Sequence, residues 1–157
     1  MPHIHDKIDF TVEVFIVYKD TVLLRKHDKY RYWLSVGGHI ELNEDPNQAA
    51  VREVKEEVNL DIVLENSLQT FQRSESDYKE LIPPYFLNRH RVSDSHEHIT
   101  LTYFAKTNTN NIMQLSKSEQ SSDCRWFTNN ELESLEDLPK NVKYYAQKAL
   151  SVLSSKK

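Results

Sequence analysis

The chain's first patterned stretch is "FTVEVFIVY", residues 10–18, a run of β-branched and aromatic side chains that reads as a strand. Lys19-Asp20 makes a polar turn into "TVLLRK", so the two segments are expected to pair as a hairpin. "YWLSV", residues 32–36, reads as a short third strand running into Gly37-Gly38. Between Pro46 and Val58 the apolar period changes. Ala50, Val54 and Val58 recur every four residues, which predicts a packing stripe along a helix. Asp45 is placed to cap that helix, Pro46 suits its first position, and Gln48 stands where a capping-box partner belongs.

Farther on, "LDIVLENSLQTFQR" reads as an extended strand or a strand pair, and "SESDYKELIPP", residues 74–84, as a polar loop closed by two prolines. "YFLNRHRV" and "HITLTYFAK" form a second expected hairpin, with "SDSHEH" at its tip. "NTNNIMQLSKSEQSS" is too polar for a packed element, "DCRWF" is a brief strand, "TNNELESL" a capped short helix, and "LPKNVKYYAQKALSVL" a C-terminal helix. Strands, a helix, more strands and then helices indicate an α+β fold with a mixed β-sheet between helices. No linker divides the chain and no fixed-period repeat occurs, so residues 1–157 are expected to form a single domain.

Charge and composition narrow the partners. A net charge of −4 provides no basic field for a nucleic acid polymer. The one cysteine, Cys124, has no internal disulfide partner and reads as a small packing residue in a reducing compartment. No apolar run approaches the ~20 residues of a membrane span. "MPHIHDKIDF" has neither the cationic start nor the apolar core of a secretory signal. A cytoplasmic protein with no membrane partner is the expectation.

Candidate chemistry concentrates on the predicted helix. Each helical residue advances ~100°, so Glu53, Glu56 and Glu57 fall within one arc of about 100°. That arc lies across from the Ala50–Val54–Val58 stripe, which implies carboxylates aimed outward. Three such groups repel one another and raise one another's pKa. They form either a solvated acidic face or a site for a hard divalent cation, Mg²⁺ or Mn²⁺. Arg52 can pair with Glu56 four residues on, or orient Glu53. Gly37-Gly38 lets backbone approach the same place.

The same residues carry a family resemblance. Gly38, Glu44, Arg52, Glu53, Val54, Glu56, Glu57 and Leu60 stand at the spacing of the Nudix box, and only its last glycine is replaced, by Asn59. The chain therefore resembles the Nudix (MutT-like) hydrolases, and "VLLRKHDKYRYWLSVGG" and "DCRWFTNNEL" are similar to segments flanking the box and late in that fold. The resemblance implies an α/β/α sandwich and an enzyme that cleaves a nucleoside diphosphate linked to another moiety. A (deoxy)nucleoside triphosphate, split to monophosphate and pyrophosphate, is the leading substrate. A dinucleoside polyphosphate, an ADP-sugar or another nucleotide sugar are alternatives. A catalytically silent domain that binds nucleotide as a sensor is a further reading, but silent relatives tend to lose box acids and this chain keeps all of them. By position, Glu53, Glu56 and Glu57 would hold Mg²⁺ or Mn²⁺ with the Gly37 carbonyl as a further ligand. Arg52 would orient Glu53, Glu44 would support the loop–helix junction by a salt bridge, and Glu53 is a candidate base for the attacking water. Dimers are common among similar proteins.

Two departures matter. Val36 stands where the family often has proline. Asn59 follows the helix end, where a left-handed conformation is needed, and asparagine adopts it more readily than other non-glycine residues, at an expected cost of about 1 kcal/mol or less.

Outside the box, Asp94, Glu97, Glu119 and Asp123 are candidates for a further acid in the site. His90, His96 and His98 invite a zinc reading but lack a nearby cysteine partner; period-2 alternation puts His96 and His98 on one strand face, as hydrogen-bonding or substrate-facing groups. Tyr78 is similar to a tyrosine that marks the dinucleoside-polyphosphate hydrolases of the family. Tyr85, Phe86 and Tyr103 are candidates to stack a base or to fill the core.

Overall fold

The structure is a computed structural model that describes residues 4–27, 30–114 and 121–155. Glu119 lies outside them. Strands β1 (Ile8–Tyr18) and β2 (Thr21–His27) form the expected hairpin, with Val17 opposite Val22 and Tyr18 opposite Thr21. Lys19 takes a left-handed conformation in the turn, φ 55°, and the Thr21 hydroxyl donates to the Tyr18 carbonyl at 2.8 Å. Beyond those two positions the hairpin opens, and residues 33–39 fill the gap. The single strand expected at 32–36 is accordingly two: β3 (Trp33–Leu34) pairs with β2 and β4 (Val36–His39) with β1. Both glycines thus sit inside a strand rather than after one.

Helix α1 (Pro46–Val58) has the bounds its sequence predicts. Asp45 accepts from the Gln48 N–H at 2.9 Å and the Gln48 side-chain oxygen accepts from the Asp45 N–H, also at 2.9 Å, which closes the capping box. At the other end Asn59 has φ 55° and ψ 35°, and its N–H donates to the Lys55 carbonyl at 3.1 Å.

The segment after α1 departs most from expectation. Only β5 (Val63–Leu64) is a strand in the main sheet. The stretch read as a polar loop contains a small separate hairpin, β6 (Ser74–Glu75) with β7 (Tyr78–Lys79). Strands β8 (Phe86–Ser93) and β9 (His96–Lys106) pair as expected, but their turn is only Asp94-Ser95, which places His96 in the strand. Strand β10 (Ser121–Phe127), helix α2 (Asn129–Ser134) and helix α3 (Lys140–Leu153) complete the order.

The main sheet runs β10-β2-β1-β9-β5, with β3, β4 and β8 attached to β2, β1 and β9. Strands β1 and β9 are parallel and the other pairs antiparallel, so the sheet is mixed. Alternation along β1 divides the interior. Val12, Val14 and Ile16 pack with Ala49, Ala50, Val54 and Val58 of α1. Phe15 and Val17 pack on the other face with Val142, Ala146, Ala149, Leu150 and Leu153 of α3 and Leu132 of α2. Phe15 and Phe104 are fully buried there, edge to face at 6.3 Å. The result is α1, sheet, and α2 with α3, the three-layer arrangement expected. Among the described residues no helix is long and apolar enough to cross a membrane.

Replacing Asn59 by glycine removes the left-handed strain while keeping the cap bond. We expect a gain of a few tenths to about 1 kcal/mol, a rise of roughly 1–3 °C in Tm by calorimetry. Turnover should stay unchanged, and a large rate change would place Asn59 in the chemistry.

Candidate active site

Arg52 is the hub of the box residues. Its Nε donates to Glu44 Oε2 at 3.0 Å, and its Nη2 donates to Glu44 Oε1 at 2.6 Å and to the His39 carbonyl at 2.9 Å. Its Nη1 donates to Glu53 Oε1 at 2.9 Å and to Glu56 Oε2 at 3.1 Å. One guanidinium therefore clamps the loop before α1, the end of β4 and two helix carboxylates. Glu44 also accepts from the Glu41 N–H at 2.9 Å, which closes the loop on itself. Hydrogen bonds from Arg52 hold the Glu44 carboxyl below the usual carboxylate range, and Glu44 in turn raises the Arg52 guanidinium further above neutrality.

The carboxylates do not all point to solvent. Glu53 and Glu57 are 4 % and 8 % exposed, whereas the Glu56 side chain is 59 % exposed. The outward arc expected from helical geometry is thus tucked against β4 and β2, because the acid positions adjoin the packing stripe. Gly38 makes room for it. A Cβ there would lie 2.3 Å from Glu53 Oε1. At Gly37 a Cβ would instead meet the Val12 carbonyl oxygen at 2.1 Å, so that glycine is required by close strand packing.

Glu57 faces a second cation, Arg25 of β2, whose Nη1 stands 3.5 Å from Glu57 Oε1 and whose Nε donates to the Ser35 carbonyl at 3.0 Å. Nothing in the sequence pattern singles out Arg25, because its partner is thirty-two positions away on another element. Glu44, Glu53, Glu56 and Glu57 set against Arg25 and Arg52 leave two negative charges, the complement of one divalent ion. The side-chain donors are all carboxylate oxygens, which suits a hard cation. Asn47, Gln48, Val51, Lys55, Leu64 and Lys79 join Arg52 and Glu56 around an open groove of about 650 Å³.

The sheet face opposite α1 is polar where α3 does not cover it. Glu13 of β1 accepts from Thr102 Oγ1 at 2.6 Å and from Ser35 Oγ at 2.8 Å. Burial pushes its carboxyl up, against the pull of those two hydroxyls. The hydroxyls of Thr11 and Thr100 bond each other at 2.7 Å. Asp9, Thr11 and Glu13 alternate with Phe10, Val12 and Val14, so this polar stripe was visible as a period-2 pattern, although sequence reasoning missed it. His96 and His98 do share this face, their ring centroids 5.3 Å apart, and His39 and His90 approach His98 at 5.0 and 5.6 Å. Burial first, and then the neighbouring histidines, push His98 down to about 4.

The remaining candidates have other partners. Glu97 pairs with Arg89, Asp123 lies 3.2 Å from Arg125 Nη2, and Asp94 is an exposed turn residue. Tyr78 is exposed, donates to Glu80 and lies under Arg73. Tyr85 stacks on Phe104 at 4.3 Å, Phe86 on Tyr145 at 4.6 Å, and Tyr103 is 2 % exposed; all three serve the interior. Cys124 is half-buried and accepts from Gln114 Nε2 at 3.1 Å.

Known proteins resemble this chain in sequence and in fold. The model of the NUDIX domain matches residues 9–148. A hydrolase of the NUDIX family from Clostridium perfringens has a similar solved structure, with TM-score 0.80 and 34% identity, covering 93% of this chain and 98% of that one. The dihydroneopterin triphosphate diphosphatase of Haemophilus influenzae is 42% identical over 78 residues, 48% of this chain and 49% of that protein. The protein of the same name from Escherichia coli is 47% identical over 47 residues, 30% of this chain and 31% of that protein. The match thus spans half the length of these curated relatives or less.

Two outcomes follow from the close contacts. Gly38→Ala should displace the Glu53 carboxylate and cut kcat by at least about tenfold with little change in Tm. Gly37→Ala meets backbone and should lower stability by about 1–3 kcal/mol. Kinetics and thermal melts of the two variants separate these effects, and equal behaviour would contradict them. Glu44 has a lowered pKa, so its stabilising contribution is complete above the ordinary value near 4.5 and fades as pH falls through the folded value. Glu44→Gln should therefore cost about 1.5–3 kcal/mol at pH 7, and the gap to the parent protein should narrow below about pH 4 in urea melts. A gap independent of pH would refute the charge assignment.

Proposed function

Because the chain belongs to the NUDIX domain family, we propose that it is a divalent-metal-dependent pyrophosphohydrolase that splits a nucleoside triphosphate, or a triphosphate of similar build, into monophosphate and pyrophosphate. The observation that carries the proposal is the Arg52 clasp, which fixes Glu44, Glu53, Glu56 and the His39 carbonyl at 2.6–3.1 Å beside the space left by Gly38. The names of the curated relatives, dihydroneopterin triphosphate diphosphatases, support a triphosphate substrate.

Glu53, Glu56 and Glu57 would hold Mg²⁺ or Mn²⁺, with the Gly37 carbonyl as a further donor. When bound, such an ion offsets charge on the pyrophosphate oxygens and lowers the pKa of an attacking water. The protein's own residues supply the positioning. Arg52 occupies Glu53 Oε1 and so orients that carboxylate, leaving Glu53 as the proposed acceptor of the water proton. Glu44 does not reach substrate in this scheme; it holds Arg52 in place. Arg25 does the same for Glu57. Lys55 and Lys79, in the groove beside Arg52, offer cations to the polyphosphate chain.

The test is product analysis over nucleoside triphosphates, dihydroneopterin triphosphate, a dinucleoside tetraphosphate, ADP-ribose and a nucleotide sugar, with Mg²⁺ and with Mn²⁺. We expect monophosphate and pyrophosphate from at least one triphosphate. Glu53→Gln and Glu56→Gln should each lower turnover by about 100-fold or more while the protein stays folded. No turnover of any compound would overturn the enzymatic reading, and full activity in Glu53→Gln would remove that residue from the site.

A further inference from the structure

We propose that Asp9, His39 and His98 form a second cation site, on the sheet face opposite α1, that takes a borderline divalent ion of the Zn²⁺ or Co²⁺ type. The proposal is independent of the pyrophosphohydrolase reading. It rests on where three adjacent strands bring their side chains. Asp9 is on β1, opposite His98 of β9 in the parallel register, while His39 of β4 stands opposite Thr11, one step along the same face. One donor atom from each of Asp9, His39 and His98 lies within 4.8 Å of the other two.

The internal distances suit an ion. Asp9 Oδ2 is 3.3 Å from His39 Nε2. Four ligands bound tetrahedrally at Zn–N and Zn–O lengths of about 2.0–2.1 Å are separated by about 3.3 Å. The His98 ring lies 5.0 Å from that of His39, centroid to centroid. The carboxylate itself is firmly placed. Asp9 is 1 % exposed, and its two oxygens accept the N–H groups of His5 at 2.8 Å and Ile4 at 3.2 Å.

His96 approaches the same carboxylate oxygen as His39. Its Nε2 is 3.2 Å from Asp9 Oδ2 and its Nδ1 3.3 Å from the Asp6 carbonyl, so each ring nitrogen has a polar neighbour. That makes it a positioning residue for Asp9, in the manner of the outer partners of metal ligands. This one buried carboxylate has two imidazole rings against it and a third within reach. A cation that binds imidazole nitrogen accounts for the convergence; charge balance alone does not. The donor set also predicts selectivity, since imidazole suits Zn²⁺ and Co²⁺ and the all-oxygen cluster on α1 suits Mg²⁺.

The experiment uses Co²⁺ and Zn²⁺ alone, with the full chain carrying Glu53→Gln and Glu56→Gln to silence the carboxylate cluster. We expect one Co²⁺ per chain, seen by its visible d–d bands, displaced by Zn²⁺ and not by excess Mg²⁺. Adding His98→Asn should weaken binding by about 100-fold or more, and His96→Asn by about 10- to 100-fold with altered bands. Circular dichroism confirms that each variant is folded, and if His98→Asn unfolds, His39→Gln replaces it. Absence of Co²⁺ bands in the doubly substituted protein would overturn the proposal, as would binding that His98→Asn and His39→Gln leave unchanged. Because the probe is binding without substrate, its outcome says nothing about pyrophosphate hydrolysis, and the two readings fail separately.

Discussion

One guanidinium organises the candidate site. Four carboxylates within reach of each other on a loop and a helix would repel, and two of them are nearly buried. Arg52 makes the arrangement tenable by spending its donors on three acidic side chains and on the His39 carbonyl at the end of β4. Lysine would present a point charge and lose the fork that reaches these partners together. Strand, loop and helix are thereby fixed relative to one another before any ligand arrives. That preorganisation is what a site built to stabilise developing charge requires.

The fold supplies the frame in which a single residue can do this. The opened β1–β2 hairpin admits residues 33–39, which bring both glycines against β1 and α1. Gly37 permits the strand pairing and Gly38 permits the carboxylate, so adjacent glycines answer separate steric demands. Polar and apolar halves of β1 divide the labour on the second face. Phe15 and Val17 meet α3, while Asp9, Thr11 and Glu13 stay with threonines, serine and histidines.

Legibility in the sequence followed the range of the interactions. The bounds of α1 were readable because the Asp45–Gln48 box, Pro46 and the valine stripe all act within a few residues. The two hairpins were readable for the same reason. Strand lengths were not: β5 keeps two residues of a much longer expected strand, and β10 begins earlier than "DCRWF", because pairing partners decide where a strand ends. The box acids were legible through their spacing, yet their direction was not, since burial of Glu53 and Glu57 depends on β4 and β2 passing alongside. Arg25, Glu13 and the Asp9–His39 contact each join residues of different elements, and no local pattern reports such a meeting.

The Arg52-clamped carboxylates are the proposed divalent-metal centre. Anomalous diffraction from crystals equilibrated with Mn²⁺ and a non-hydrolysable nucleoside triphosphate tests it most directly. The expected result is Mn²⁺ within bonding distance of Glu53, Glu56 and Glu57, with the polyphosphate reaching the same ions. Anomalous density confined to other parts of the molecule, with these three carboxylates bound only to protein, would contradict it.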